Sequence, residues 1–188
     1  MSATTRISIA DFDRMIAEGC FAPNPKRQRI ELIDGELRQM SPIGPAHEDV
    51  VDILAEWSLT HLPAETVRVR NQHSIGIPEL ESVPEPDIAC VVKRSYAARR
   101  PQASDVFLII EVSESSLGYD RGEKANLFAA AGIADYWVVN ILDRCVEVFR
   151  EPESSSYRSH EVFTAPSEIR PLAFPQVALP LAILFPAD

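Results

Sequence analysis

The sequence predicts an α/β domain in which helices pack on a mixed central β-sheet. Residues 106–112 are almost entirely apolar, which is typical of a strand buried on both faces. A helical pattern follows over residues 120–131, with Gly132 as its C-terminal cap, and a second apolar strand spans residues 136–141. Two strands joined by such a helix lie parallel, with a right-handed crossover. The neighbouring strands have shorter connections, so we expect them to pair antiparallel.

Length and composition indicate one globular domain over residues 1–188, with a core at about 31–150 and a C-terminal extension at 151–188. Hydrophobic residues make up 46% and charged residues 24% of the chain, which excludes a disordered or fibrous protein. The formal net charge of −10 argues against nucleic-acid binding over the whole surface. It leaves room for a local basic strip or a bound metal ion.

Cysteine usage and hydropathy predict a cytoplasmic protein. The three cysteines form no CxxC pair, so we interpret them as reduced thiols and not as a zinc site. The first 15 residues lack the apolar segment of a secretory signal. The longest apolar stretch, near residues 177–186, is far shorter than the roughly 20 residues that cross a bilayer.

The first third of the chain predicts helix, hairpin and helix. Ser8 with an acid three residues later is typical of a helix start, and this helix should end near Gly19. The Asp34-Gly35 pair predicts a tight turn in a hairpin over residues 29–40. Apolar residues at helical spacing predict a helix over 47–62, which Pro63 closes.

The remaining elements are mostly strands. Strands over 66–77, 86–92 and 106–112 should form a meander before the crossover helix. After the strand at 136–141, a turn leads into a strand at 145–149. The tail adds an edge strand near 157–163 and a short terminal helix.

Three polar residues stand beside buried strands. Asp87 directly follows Pro86 at a strand start, Glu111 follows five apolar residues, and Lys124 lies in the first turns of the next helix. Two carboxylates on neighbouring strands repel each other unless a cation lies between them, and oxygen ligands suit Mg²⁺ or Mn²⁺. A nearby lysine would hold a water or stabilise a phosphate. The alternatives are a strand-start residue, an exposed strand end and a surface lysine.

Pro86-Asp87 followed by Glu111-Val112-Ser113 resembles the signature of the PD-(D/E)XK nuclease superfamily. More closely, the chain resembles the bacterial Uma family of restriction-endonuclease-like proteins. The resembling stretches lie at 31–36, 40–42 with His47, 86–87, 110–113 with Ser115 and Ser116, 119–124, and 131–137. The resemblance covers about residues 31–149 and is weaker in the C-terminal tail.

The resemblance implies a restriction-endonuclease-like core with an N-terminal helix and β-hairpin. It implies that Asp87, Glu111 and the Val112 carbonyl bind Mg²⁺ or Mn²⁺, and that Lys124 orients the attacking water. Ser113 stands where the superfamily has its lysine, and Lys124 matches the position that this family uses instead.

Three further residues are candidate site neighbours. The resemblance makes Glu36 and His47 second-tier catalytic candidates, because they match family positions near the pocket. The alternatives are a hairpin-surface acid for Glu36 and a helix-start residue for His47. Gln72, on the first strand of the meander, is a further neighbour.

The implied function is a Mg²⁺-dependent endonuclease that hydrolyses DNA. The alternatives are a catalytically degenerate member that binds nucleic acid or protein, and a small-molecule phosphohydrolase. A homodimer would supply two active sites, and an edge strand near Cys145 could pair across its two-fold axis.

The basic stretch 93–100, with Arg68, Arg70 and Arg121, predicts either a phosphate-binding rim or a solvated loop.

Overall fold

The computed structural model describes residues 6–21 and 29–186. Its helices are α1 (Ile9–Ala17), α2 (Pro45–His61), α3 (Leu117–Tyr119) and α4 (Ala125–Ala130), with a π-helical turn at Asp120–Lys124 between the last two. The strands are β1 (Ile30–Ile33), β2 (Glu36–Gln39), β3 (Val67–Asn71), β4 (Ile88–Val92), β5 (Val106–Ser113), β6 (Asp135–Asn140), β7 (Cys145–Glu153), β8 (Ser156–Thr164), β9 (Glu168–Ile169) and β10 (Leu179–Pro180).

The central sheet has six strands in the order β3-β4-β5-β6-β7-β8. Strands β5 and β6 are parallel, and the other neighbouring pairs are antiparallel. The predicted meander, the parallel pairing of the strands on either side of the crossover helix and the mixed α/β architecture are therefore confirmed. A crossover helix between β5 and β6 gives the parallel pair because it returns the chain to the starting edge.

Alternate residues of the sheet enter two hydrophobic cores. One core contains Ile110 and Trp137 and is covered by α2 and the C-terminal tail. The other contains Ile109 and Tyr136 and is covered by α4. Strand β5 is buried from Leu108 to Ser113, and this includes its single acidic residue, Glu111.

The N-terminal helix and the hairpin are confirmed. The Ser8 hydroxyl caps α1 by accepting a hydrogen bond from the Asp11 backbone N–H. Asp34 and Gly35 both have positive φ angles, 53° and 71°, as a two-residue hairpin turn requires. The Gly35 N–H donates to the Glu81 carbonyl and thereby ties the hairpin to the segment before β4.

Two predictions about strands were wrong. The strand expected over 66–77 ends at Asn71, because Gln72 adopts a left-handed conformation with φ of 50° and turns the chain. Ile75 and Ile77 are apolar because they are buried loop residues. The strand that starts at Cys145 is not an edge strand, since β7 pairs with both β6 and β8 and leaves no free side for a second subunit.

The tail forms the predicted edge strand, and its terminal helix is a short 3-10 turn at Leu181–Ile183. None of the helices in the described part of the chain is both long and apolar enough to span a membrane.

Candidate active site

The register of the sheet brings Asp87 and Glu111 together. Ile88 pairs with Ile110, so Asp87, one residue before β4, falls opposite Glu111 near the end of β5. The Asp87 backbone N–H points at Glu111 Oε2 at 3.4 Å. Both side chains are buried, with relative exposures of 5% and 3%, at the floor of a cavity of about 450 Å³.

The Asp87 carboxylate is held by three partners. Its Oδ2 accepts a hydrogen bond from the Val112 N–H at 2.9 Å and lies 3.1 Å from His47 Nε2. Its Oδ1 accepts from the Gln72 side-chain amide at 3.1 Å. Burial acts to raise the pKa of Asp87, but the His47 contact and these hydrogen bonds outweigh it and lower the pKa below its ordinary value.

His47 lies in the first part of α2 and enters the cavity. Burial acts to lower the pKa of His47, but the hydrogen bond and the negative charge of Asp87 outweigh it, so the pKa is raised. Among the described residues, its Nδ1 atom is buried without a hydrogen-bond partner. His47 therefore has one ring nitrogen committed to Asp87.

Lys124 points into the site and is not a surface lysine. It ends the π-helical turn, has 3% exposure, and places its Nζ 2.8 Å from Glu111 Oε1 and 3.2 Å from Glu31 Oε1. Burial acts to lower the pKa of Lys124, but the charges of Glu111 and Glu31 raise it well above its ordinary value. The ammonium group is therefore charged at neutral pH.

Glu111 is crowded by other carboxylates. Burial raises its pKa, the Lys124 ammonium opposes this, and the charges of Asp87, Asp120 and Glu31 raise it further; the net pKa lies well above the usual value. Four buried carboxylates thus face one buried lysine and His47. This excess of negative charge favours the binding of a further cation.

Glu36 does not line the cavity. It lies on β2, where its carboxylate pairs with Arg38 at 2.7 Å. Arg38 in turn binds Glu123, and these two residues form part of the cavity wall. In this structure Glu36 thus reaches the site only through the Arg38 guanidinium.

The family model for Uma2, described as “Putative restriction endonuclease”, matches residues 9–182. The chain belongs to the Uma2 family. Among solved structures, a “putative nuclease belonging to DUF820” from Anabaena variabilis matches with a TM-score of 0.69 and 16% identity, over 95% of this chain and 97% of that one. This similarity confirms the restriction-endonuclease-like fold. No protein among the curated sequences compared matches the chain.

Three residues of this Uma2 protein line the cavity but were not predicted from the sequence as site residues: Glu31, Tyr119 and Asp120. Glu31 is 1% exposed and accepts a hydrogen bond from the Glu85 N–H at 2.7 Å. Asp120 accepts hydrogen bonds from Ser113 and Ser116, each at 2.5 Å. An acid in the apolar strand 30–33 was the one available signal for Glu31. Asp120 contacts Ser113 and Ser116, and Tyr119 contacts the Lys124 ammonium; these contacts are local, and nothing in the sequence pattern marked them.

The donor atoms of this Uma2 site fit a hard divalent cation. Within residues 6–21 and 29–186, no three His, Cys, Asp or Glu side chains form a group that could hold a metal ion. Asp87 and Glu111 would therefore supply two ligands of an incomplete set. Mg²⁺ commonly binds one or two carboxylates and completes its coordination with water and substrate phosphate, whereas a structural zinc site needs four protein ligands. The donor set therefore favours Mg²⁺ or Mn²⁺.

Proposed function

We propose that this chain is a Mg²⁺- or Mn²⁺-dependent endonuclease that hydrolyses phosphodiester bonds of DNA. One observation carries the proposal: Asp87 and Glu111 lie side by side at the floor of a cavity, with Lys124 Nζ 2.8 Å from Glu111. Membership of the Uma2 family supports a nuclease activity.

In this proposal Asp87, Glu111 and the Val112 carbonyl hold the metal ion. A divalent cation at this place supplies an activated water and neutralises charge on the phosphate. Lys124 is protonated, so it acts as a hydrogen-bond donor and not as a base. Its ammonium group orients the water or stabilises the negative charge that develops on the phosphate.

His47 and Gln72 act on the Asp87 carboxylate. His47 holds Oδ2 and Gln72 holds Oδ1, so the plane of the carboxylate is fixed before a cation arrives. Fixing a ligand in this way removes the entropy cost of ordering it upon binding. Arg29 and Arg38 also line the cavity, where Arg29 pairs with Glu85 and Arg38 pairs with Glu36 and Glu123.

Cleavage of a supercoiled plasmid in Mg²⁺ or Mn²⁺ tests the proposed function. The wild type should nick or linearise the plasmid, and Asp87→Asn and Glu111→Gln should each reduce the rate at least 100-fold with an unchanged circular dichroism spectrum. Asp52→Asn, on the exposed face of α2, is the matched control and should cut at the wild-type rate. Metal-dependent cutting by Asp87→Asn at the wild-type rate would contradict the proposal.

The alternative is a catalytically degenerate member of the fold that binds nucleic acid or protein. It is favoured by the contacts that already engage both Asp87 oxygens and by the two carboxylates that already engage Lys124. A protein that retards plasmid DNA on a gel without cutting it, in either metal and with single-stranded and RNA substrates also intact, would support this alternative.

A further inference from the structure

Five arginines gather outside the candidate active site, at the β3 edge of the sheet. The arginine cluster consists of Arg68, Arg70, Arg94, Arg99 and Arg100. The guanidinium carbons of Arg70, Arg94 and Arg99 lie 5.8, 5.5 and 5.9 Å from the centre of one aromatic ring, that of Tyr96. The Tyr96 hydroxyl donates to the Val92 carbonyl at 2.9 Å, which fixes the ring at the end of β4.

Contacts through Ser74 join the cluster to the loop after β3. The Arg70 guanidinium donates to the Ser74 carbonyl at 3.4 Å, and Arg100 Nε donates to the Ser74 hydroxyl at 3.1 Å. The arginines of the cluster therefore come from two segments of the chain, β3 and the loop after β4, and Ser74 in the loop after β3 joins the two.

The positive charge of the cluster is only partly neutralised. Arg94 and Arg99 share the buried carboxylate of Asp105, and Arg100 pairs with Asp13. In the described part of the chain, Arg68 and Arg70 pair with no carboxylate, and Arg70 Nε is buried without a hydrogen-bond partner. Burial and the neighbouring Arg68 charge lower the pKa of Arg70. Like charges held this close are stabilised when an anion binds between them.

The cluster adjoins the candidate active site through β3. Arg70 precedes Gln72 by two residues, and the Gln72 amide donates to Asp87 Oδ1. At about 3.3 Å per strand residue, Arg70 and Arg68 lie about 7 and 13 Å along the backbone from Gln72. At 3.4 Å per nucleotide of a DNA strand, these distances correspond to about two to four nucleotides.

Arg121 does not belong to this cluster. Its guanidinium forms a two-point ion pair with Glu147 of β7, with Nε 2.7 Å from Oε1. The phosphate-binding rim predicted from the sequence therefore excludes Arg121.

We propose that the arginine cluster binds phosphates of duplex DNA that flank the scissile phosphate, with Arg68 and Arg70 as the principal contacts. The proposal rests on the proposed function, because it assigns the substrate backbone of the same site. Guanidinium groups bind phosphate oxygens in pairs of hydrogen bonds, and the contacts carry no sequence information. A local site of this kind explains how a chain with net charge −10 holds a polyanion.

Fluorescence anisotropy with a labelled 30-base-pair duplex tests the proposal. The full chain is titrated in Ca²⁺ over a series of salt concentrations. We expect the Arg68→Ala/Arg70→Ala variant to bind at least tenfold more weakly than wild type at low salt. The slope of the logarithm of the binding constant against the logarithm of salt concentration is negative, and its magnitude should decrease by about two. Each lost phosphate contact lowers this magnitude by about one. The control Arg158→Ala, at an exposed arginine of β8, should match wild type in both.

Single-turnover cleavage separates this proposal from the proposed function. In this assay the half-saturating protein concentration of Arg68→Ala/Arg70→Ala should be at least tenfold higher than that of the wild type. Wild-type affinity and slope in the double variant would overturn the arginine-cluster proposal whether or not the protein cuts DNA. Failure of the wild type to bind the duplex, or tighter binding to RNA than to the duplex, would overturn it as well. If the wild type and the variants bind the duplex as expected but the wild type does not cut it, only the proposed function is overturned.

Discussion

Lys124 is the residue on which the stability of the site depends most, because its charge compensates two buried carboxylates. Its ammonium lies within hydrogen-bonding distance of both Glu111 and Glu31. Removing one partner of a buried ion pair leaves an uncompensated charge, which costs far more than the pair itself contributes. The side chain is therefore structurally important as well as a candidate for chemistry.

Lys124→Ala should lower the free energy of unfolding by about 3–5 kcal/mol, because Glu111 and Glu31 would remain buried without a cation. Urea denaturation at pH 7 measures this loss. The double variant Lys124→Met/Glu111→Gln, which removes a charge from each side, should recover more than half of it. Equal stability of Lys124→Ala and wild type would show that the ion pair has no such role.

At the scale of single residues, the sequence predicted those site residues that are each positioned by one strand. Asp87 and Glu111 were predicted because polar residues beside apolar strands are conspicuous. The role of Glu31 was missed, because its contact with Lys124 joins residues 93 positions apart. Only the packing of the hairpin against the helix brings these two together.

At the scale of elements, the π-helical turn explains how Lys124, on a helix, reaches Glu111 on β5. Ser113, at the end of β5, donates its hydroxyl to Asp120 and so holds the start of the π-helical turn. The Tyr136 hydroxyl donates to the Asp120 carbonyl at 3.0 Å from β6. The turn ends at Lys124, whose side chain then reaches Glu111. Such turns change the direction of side chains within a helix and are frequent at functional sites.

The hairpin depends on Gly35, which has φ of 71°, and a Cβ atom there would lie 2.9 Å from Arg6 Cβ. Gly35→Ala should therefore lower the free energy of unfolding by about 1–3 kcal/mol. Gly122→Ala is the matched control, since no atom lies within 4 Å of its added Cβ and the position is helical. It should leave stability unchanged or raise it by up to about 1 kcal/mol. Chemical denaturation measures the free energy of unfolding of both variants. Equal effects of the two substitutions would contradict this account.

At the scale of the whole molecule, the C-terminal tail completes one hydrophobic core. Leu179, Leu181 and Phe185 are buried with Trp57 of α2, whose indole N–H donates to the Ala178 carbonyl. The Asp135 carboxylate accepts a hydrogen bond from the Leu172 N–H and fixes the segment between β9 and β10. Residues 165–186 therefore belong to the packed fold.

Leu179→Ala should destabilise the protein by about 2–5 kcal/mol, since it removes a fully buried side chain. Leu172→Ala, at a side chain that is 53% exposed in the same tail, should change stability by less than about 0.5 kcal/mol. Thermal unfolding of the two variants measures the difference. A large loss in both, or in neither, would contradict this description of the tail.

The sheet order was predictable because, within the central sheet, α-helices occur only in the connection between β5 and β6, and the rules for such connections leave few topologies. Which strands lie at the free edges of the central sheet was less predictable than the order of the strands. β8 is nine residues long and pairs along β7, so the strand that starts at Cys145 is interior. A homodimer stays a prediction.

Titration of the metal-free protein with Mn²⁺ by calorimetry tests the central claim most directly, because it does not depend on the choice of nucleic acid. The account predicts binding to wild type and to Asp52→Asn with the same affinity, and at least tenfold weaker binding to Asp87→Asn and to Glu111→Gln. Wild-type affinity in either of these two site variants, or no binding of Mn²⁺ to the wild type, would contradict the claim that this pair of carboxylates is a metal site.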